Sequence, residues 1–446
     1  MHKVSPQQRQ VQQTLLAPLL RLWSDPERRR KFLLWLVGGT SGVLALALVL
    51  ESSRAVCRTP AESAQLVARV CLTVVKTLLQ YVARGCQPKF PKWTLRFELL
   101  RGIMRLVSNT HGERIADASH ATIIRGHSER VGSFLGWFAC QLHGLKLEPV
   151  EVNGLEHLWL KSASPTASES SKRLVVLFYH GGGFAVLSPR MYISFCSALV
   201  SAIKKEFAAQ GRGSQMEDVS IDVFLANYRK APEFSFPTQP EDTVAAYEYL
   251  LRHEKIAPSQ IIVAGDSAGG GLVMSTLLRV RDGEAKLPPP LAAIVACPLV
   301  DLTGDEAEAE HCVLSSSITV ASRVSYHPTH KDRSTWGDAS SVHCDLKDLP
   351  PVFLQAATQD YLYPHSRRLA AKAEADGVTN WEVDVHEGVP HVFMVFPSYV
   401  LPYASVAIQN MAVFAAKQFH HALAMNRKEE VMDSITVTSK SVPSAA

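Results

Sequence analysis

The stretch Ile261-Ile262-Val263-Ala264-Gly265-Asp266-Ser267-Ala268-Gly269-Gly270-Gly271 runs from an apolar strand-like segment into Gly-x-Ser-x-Gly. Leu272-Val273-Met274-Ser275-Thr276-Leu277-Leu278 continues it as a helix. A chain that turns this sharply from strand to helix lifts the serine hydroxyl clear of the sheet, the geometry of a nucleophile elbow. Glycines at 265 and 269 suit so tight a turn because a side chain there would collide with the neighbouring backbone. A lone match to this pattern is weak, so the reading of Ser267 as a nucleophile depends on partners elsewhere in the chain.

Upstream, Leu174-Val175-Val176-Leu177-Phe178-Tyr179 reads as a buried strand and ends in His180-Gly181-Gly182-Gly183-Phe184. Consecutive glycines let backbone N–H groups approach a ligand closely, which is what stabilising a developing oxyanion requires. A phosphate loop is the rival reading, but no Gly-Lys-Ser/Thr follows and a histidine heads the run. Strand-like pieces at 147–152 and 155–160 flank an Asn153-Gly154 turn signal. Further strands are expected at 221–226, 291–300, 352–358 and 381–386, with a helix over 192–208 and helical segments between most of the others. This alternation predicts an α/β fold, a mostly parallel central sheet covered by helices on both faces. A polar, strand-poor insertion at 302–347 interrupts the rhythm after a strand's C-terminal end, where α/β sheets bind ligands, and is a candidate second lid segment.

A serine hydroxyl needs a histidine to accept its proton, and the histidine needs a carboxylate to fix its tautomer. After an elbow of this kind the chain order is Ser, acid, His, with acid and base on loops after late strands. Asp360 ends the run Val352-Phe353-Leu354-Gln355-Ala356-Ala357-Thr358-Gln359, and His391 lies in the loop after the last strand, Glu387-Gly388-Val389-Pro390-His391. His386 is still on that strand, Asp376 lies at a helix end and Asp384 within a strand, so all three are weaker candidates. The expected triad is Ser267, Asp360 and His391.

Of 446 residues, 47% are hydrophobic and 20% charged, which fits a globular protein with an added apolar segment. A formal charge of +4 without a basic stripe gives no footprint for nucleic acid. Eight scattered cysteines with no Cys-x-x-Cys leave room for one or two disulfides and argue against a zinc site. His327-Pro328-Thr329-His330 reads as a polar loop, and neither metal nor cofactor is expected.

The N-terminal region divides differently. Residues 1–31 are polar and basic, including Arg28-Arg29-Arg30-Lys31, and Phe32 to Leu50 runs without a charge. As a helix that run would span roughly 28 Å, close to a bilayer's hydrocarbon thickness. A signal anchor with residues 1–31 in the cytosol follows from the positive-inside rule. A cleaved signal peptide and a soluble helix are the other readings. Leu66 to Ala83 is apolar but carries Arg69 and Lys76, so an amphipathic helix on the membrane or on the protein suits it better than a second span. Helices are expected from Trp93, with Trp93, Phe97, Leu100, Met104 and Val107 on the apolar stripe and Glu98, Arg101 and Arg105 opposite, and over Glu129–Leu142. Residues 51–144 form the helical linker and lid, 145–425 the catalytic domain, and 426–446 a polar tail expected to be disordered.

Taken together, His180-Gly181-Gly182-Gly183, Tyr228-Arg229-Lys230-Ala231-Pro232-Glu233, Gly265-Asp266-Ser267-Ala268-Gly269 and the Asp360 and His391 loops resemble the hormone-sensitive-lipase family of α/β-hydrolases. The likeness covers roughly residues 145–420 and is nearest to the membrane-anchored arylacetamide deacetylase and steryl acetyl hydrolase branches. The resemblance implies oxyanion N–H groups from Gly182, Gly183 and Ala268, supported by His180, Gly181, Gly265, Asp266 and Gly269. It also implies a lid from the helices before the sheet, and an endoplasmic-reticulum membrane protein with a lumenal catalytic domain. Asn227 and Lys230 stand where an acidic residue and Leu are usual, and Pro364 where a second acidic residue is common. The implied activity is hydrolysis of a lipophilic ester such as a steryl acetate, acylglycerol or aryl ester. An acyltransferase with the same triad and a non-catalytic binding protein are the alternatives, the latter disfavoured by the presence of His391. Oligomeric state has no signal.

Overall fold

Among the described residues, eight strands, β1 (Leu145–Val152), β2 (Leu155–Ser162), β3 (Arg173–Tyr179), β4 (Ser220–Ala226), β5 (Ile261–Asp266), β6 (Ala292–Ala296), β7 (Val352–Ala357) and β8 (Glu382–His386), form one sheet in the order β1-β2-β4-β3-β5-β6-β7-β8. This is a computed structural model describing Glu27 and residues 56–162, 173–210, 219–283, 286–304 and 306–440. The expected basic terminus (Glu27 apart), the Phe32–Leu50 span and residues 163–172 of a Ser- and Ala-rich stretch, 161–172, whose composition reads as a surface loop, lie outside the described residues.

Among the described residues from 56 onward, three helices precede the sheet: α1 (Pro60–Ala83), α2 (Leu95–His111) and α3 (Ala118–His143). Thr59, Thr94 and Asp117 cap them, each accepting a hydrogen bond from a first-turn backbone N–H. The stripe expected on α2 holds at Phe97, but Met104 faces outward and Glu98 is buried. Glu98 turns inward because it accepts from Arg84 at 2.5 Å and from Lys89 N at 2.6 Å, satisfying the α1–α2 connection. On α3 the apolar reading also inverts in part: Phe134 and Trp137 are exposed, whereas Gly132, Gly136, Ala139 and Cys140 are buried. The small residues let the backbones approach closely. A Cβ at Gly136 would lie 2.7 Å from Ile193 Cδ1, and one at Gly132 2.5 Å from Arg190 C.

β1 (Leu145–Val152) and β2 (Leu155–Ser162) form an antiparallel hairpin, and β2 pairs antiparallel with β4. Asn153 and Gly154 at its tip have φ of 52° and 73°, as a two-residue turn of matching twist requires. From β3 (Arg173–Tyr179) onward all pairing is parallel: α4 (Ile193–Gln210), β4 (Ser220–Ala226), α5 (Thr238–Arg252), β5 (Ile261–Asp266), α6 (Ala268–Asp282) and β6 (Ala292–Ala296) follow. β6 is shorter than expected because Cys297 takes φ 45° and Pro298 has no N–H to extend the ladder.

The 302–347 insertion is strand-free as expected but contributes a helix, α7 (Ser316–Tyr326), which packs on α2 and on the 3-10 turn Gly112–Ala116. β7 (Val352–Ala357), α8 (Tyr363–Ala375), β8 (Glu382–His386) and α9 (Ala404–Lys440) complete the chain. α9 continues to Lys440, into the stretch read as a disordered tail. That stretch is polar but has no Gly or Pro before Pro443, so nothing in it breaks a helix. The inner strands β5, β6 and β7 are buried at every residue, because α4 and α9 pack together and α5 and α6 pack together over the sheet. All eight cysteines are free thiols.

Candidate active site

β5 lies near the middle of the sheet, and its C-terminal end carries Ser267 at φ 54°, ψ −121°, a conformation that costs energy for a residue with a side chain. Ser267 N donates to Ala296 O at 2.9 Å, and Ser267 O accepts from Gly271 N and Leu299 N at 3.1 and 2.9 Å. These bonds fix the turn on three sides. A Cβ at Gly265 would lie 2.5 Å from Gly269 O, and one at Gly269 would run into Tyr179 O, so both glycines are sterically required.

Three strand ends converge here. Ser267 Oγ and His391 Nε2 are 2.9 Å apart, and His391 Nδ1 is 2.8 Å from Asp360 Oδ2. All three residues are buried. Asp360 Oδ1 accepts from Leu362 N at 2.8 Å and faces the Cys312 thiol at 3.8 Å, so the carboxylate is held in one orientation. Asp384, the rival acid, pairs instead with His386 Nε2 at 2.7 Å and accepts from Gln355 and Asn410. Asp376 serves Lys372 and Leu346 N. The structure therefore brings Ser267, Asp360 and His391 together and leaves the other candidates in separate structural networks.

The glycine run after β3 abuts the elbow. Gly181 N donates to Asp266 Oδ1 at 3.1 Å, and Tyr192 OH donates to Asp266 Oδ2 at 2.9 Å. Burial pushes the Asp266 carboxyl up to about 6, against the lowering pull of these donors. Gly182 and Gly183 take φ of 115° and 60°, and a Cβ at Gly182 would strike Val186 O and lie 3.1 Å from Leu187 Cβ. Ala268 is the first residue of α6, so its N–H has no acceptor within its own helix and points out of the helix N-terminus. His180 stacks on Tyr228 with centroids 4.5 Å apart, and Tyr228 OH donates to His180 O at 2.9 Å. Burial holds the His180 imidazole well below its usual range, so it acts as a neutral strut.

Other supports were not legible in the sequence. Tyr192 carries no local signal. Lys230 Nζ donates to Asn227 Oδ1 and, at 3.1 Å, to Tyr228 O. Burial pushes its amine down to about 7, and Arg125 adds to the shift. The departures at 227 and 230 are thus one contact, visible in the sequence only as two odd residues. Trp93 Nε1 donates to Gly388 O at 2.8 Å and Thr94 Oγ1 to Val400 O at 2.5 Å, so the two residues just before α2 hold the chain on either side of His391. Phe184 stacks on Tyr326 of α7, with Ile115, Val186 and Ala321 forming an apolar cluster between the glycine loop and the helical cover.

Cys297 Sγ lies within 4.8 Å of ligand atoms of Asp360 and His391. Burial, with the Asp360 charge adding to it, pushes this thiol well above its usual range, which favours a protonated thiol over a thiolate ligand. His327 and His330 sit in a loop, with His327 Nε2 2.9 Å from Thr335 O.

Gly182→Ala is expected to lower kcat/KM by roughly 100-fold, about 3 kcal/mol, if displacement of the loop removes one oxyanion donor. The assay is steady-state hydrolysis of a short soluble ester. An unchanged kcat/KM would remove this loop from the chemistry.

An α/β-hydrolase-fold family model matches residues 214–395. An acetyl-hydrolase of Streptomyces hygroscopicus is 31% identical over 277 residues, covering 60% of this chain and 83% of the relative. Arylacetamide deacetylase-like 2 of Homo sapiens is 26% identical over 193 residues, covering 41% of this chain and 44% of the relative. The crystal structure of an esterase from the bacterial hormone-sensitive lipase family superposes with a TM-score of 0.56 at 26% identity, covering 75% of this chain and all of that one. With a buried Ser–His–Asp relay at the strand ends and relatives of this kind, the chain belongs to the hormone-sensitive-lipase family of α/β-hydrolases and is a carboxylic ester hydrolase.

Proposed function

We propose that the protein cleaves a lipophilic carboxylic ester through an acyl-enzyme on Ser267. The observation that carries this reading is the pair of contacts Ser267 Oγ–His391 Nε2 and His391 Nδ1–Asp360 Oδ2, at 2.9 and 2.8 Å. Ser267 attacks the ester carbonyl while His391 takes its proton, and Asp360 holds the imidazole in the tautomer that can accept at Nε2. Backbone N–H groups of Gly182, Gly183 and Ala268 stabilise the oxyanion of the tetrahedral intermediate. His391 returns the proton to the leaving alcohol, and water activated by the same imidazole releases the acid. The apolar cover built from α7 and the Gly112–Ala116 turn excludes water and favours an apolar substrate. Steryl acetates, acylglycerols and aryl esters fit that description.

The uncharged run Phe32–Leu50 anchors the protein, with the basic terminus cytosolic and the catalytic domain on the lumenal side of the endoplasmic reticulum. A fluorophosphonate probe should label the wild-type protein at Ser267, and turnover across esters graded by acyl-chain length, steryl acetate included, identifies the substrate class. Product analysis with an added alcohol separates hydrolysis from acyl transfer. Failure of the probe to label Ser267 while esterase activity persists would defeat the acyl-enzyme reading.

A further inference from the structure

α1 is long and apolar enough to cross a membrane by length and composition, yet its placement does not suit a span. Leu66 and Val70 are its only buried residues. Leu72, Val75, Leu78, Leu79 and Val82 are all exposed, Leu72 by 69% and Leu79 by 65%. At 100° per residue these side chains fall on one broad outer stripe. Soluble proteins rarely leave so continuous an apolar stripe in water without a partner.

Both ends of α1 are tied to the same body. At its start, Arg114 pairs with Glu62 at 3.0 Å and Arg58, just before the helix, with Asp117 at 3.1 Å. Just past its end Arg84 pairs with Glu98 on α2 at 2.5 Å. In between, a Cβ at Gly102 of α2 would lie 3.2 Å from Thr73 Cγ2, so the two helices are in close contact at mid-length. A helix fixed to one side of the protein at both ends cannot put those ends on opposite sides of a bilayer.

We propose that α1 lies in the plane of the membrane interface, its outer stripe among the upper acyl chains. Arg69 and Lys76 are exposed and flank the stripe, and the only acidic residue of α1, Glu62, is paired with Arg114. The flank is therefore cationic, which matches anionic headgroups and lets both side chains extend toward phosphate. Nine residues, 51–59, separate Leu50 from Pro60. Even fully extended they reach only about 30 Å, so an anchored chain keeps the start of α1 within that distance of the bilayer. This inference rests on the membrane association proposed above and is independent of the triad. Its consequence for the reaction is positional: α1 sits on α2, and the two residues just before α2 hold the chain on either side of His391, so the lipid phase that dissolves an apolar ester lies on the side of the protein that braces the catalytic histidine.

The test uses the full chain carrying Leu72→Trp, at the middle of α1, reconstituted in phosphatidylcholine–phosphatidylserine vesicles with a quencher attached either near the headgroup or near the acyl-chain terminus. The emission that Leu72→Trp adds to the wild type should fall about twofold or more with the shallow quencher and clearly less with the deep one. A spanning α1 would put this residue near the bilayer centre, so stronger quenching by the deep label would mean that α1 spans, and no quenching by either would mean that protein, including a second copy, covers the stripe; both overturn the proposal. Val75→Trp is the second variant should the first fail to fold. Leu72→Glu with Leu79→Glu should leave hydrolysis of a short soluble ester within about twofold, while reducing turnover of a vesicle-dispersed ester several-fold. Release of the wild-type protein by carbonate would defeat the Phe32–Leu50 anchor alone, since quenching reads α1 directly.

Discussion

Ser267→Ala and His391→Ala are each expected to lower kcat by ~10⁴-fold or more, with the double variant hardly worse than either single one. The hydroxyl is a weak nucleophile by itself, and His391 Nε2, 2.9 Å from Oγ, is placed to take its proton. Removing either member removes the whole unit, so the losses cannot add. Ser267→Ala deletes a single oxygen from a turn held by backbone hydrogen bonds, and its melting temperature should change little. His391→Ala leaves a buried cavity and needs a thermal melt beside the kinetics. Strictly additive losses in the double variant would show that the two residues do not act together, and the triad assignment would fail.

Asp360→Asn should cost on the order of 10⁴-fold in kcat, about 5.5 kcal/mol of transition-state stabilisation, while the protein stays folded. Asp360 Oδ2 accepts from His391 Nδ1 and Oδ1 accepts from Leu362 N, so the side chain is an acceptor on both sides. An amide can keep only one acceptor. With its NH₂ toward His391 it favours the tautomer protonated at Nε2, which cannot take the serine proton. Asp384→Asn is the informative control. Asp384 sits in a second Asp–His pair with His386, braced by Gln355 and Asn410, and its loss should lower stability without comparable loss of turnover. Kinetics of both variants on one soluble ester decide the matter: near-normal turnover in Asp360→Asn together with an inactive but folded Asp384→Asn would reassign the acid.

That control also marks where sequence reasoning reaches its limit. Three aspartates and three histidines stand within the 32 residues from Asp360 to His391, and two Asp–His pairs form among them, Asp384–His386 and Asp360–His391. Position on a strand or in a loop was enough to rank them, because a residue such as His386 at the end of β8 is held by the ladder, whereas His391 projects from the loop beyond it. Lys230 was less tractable. A lysine within a segment of otherwise ordinary polarity reads as exposed, yet this one is buried on the Asn227–Tyr228 corner, and only the surrounding chains explain why it is tolerated.

The sequence by itself determined the features that arise within a few residues. These are the strand–Ser267–helix turn, the glycine run after β3, the Asn153-Gly154 hairpin and the order of acid and base after the late strands. Their physics is local: steric limits on φ and ψ, side-chain alternation and the absence of a Cβ act between chain neighbours. Tertiary structure alone decided that Glu98 turns inward, that Phe134 and Trp137 face out while the glycines of α3 pack, and that Trp93 grips the His391 loop. It also decided that both ends of α1 belong to one body, which no hydropathy profile of residues 60–83 contains. In each case the outcome depends on close packing or a hydrogen-bond partner supplied from elsewhere in the chain, and a helical period records which side chains share a face but not which face meets the protein.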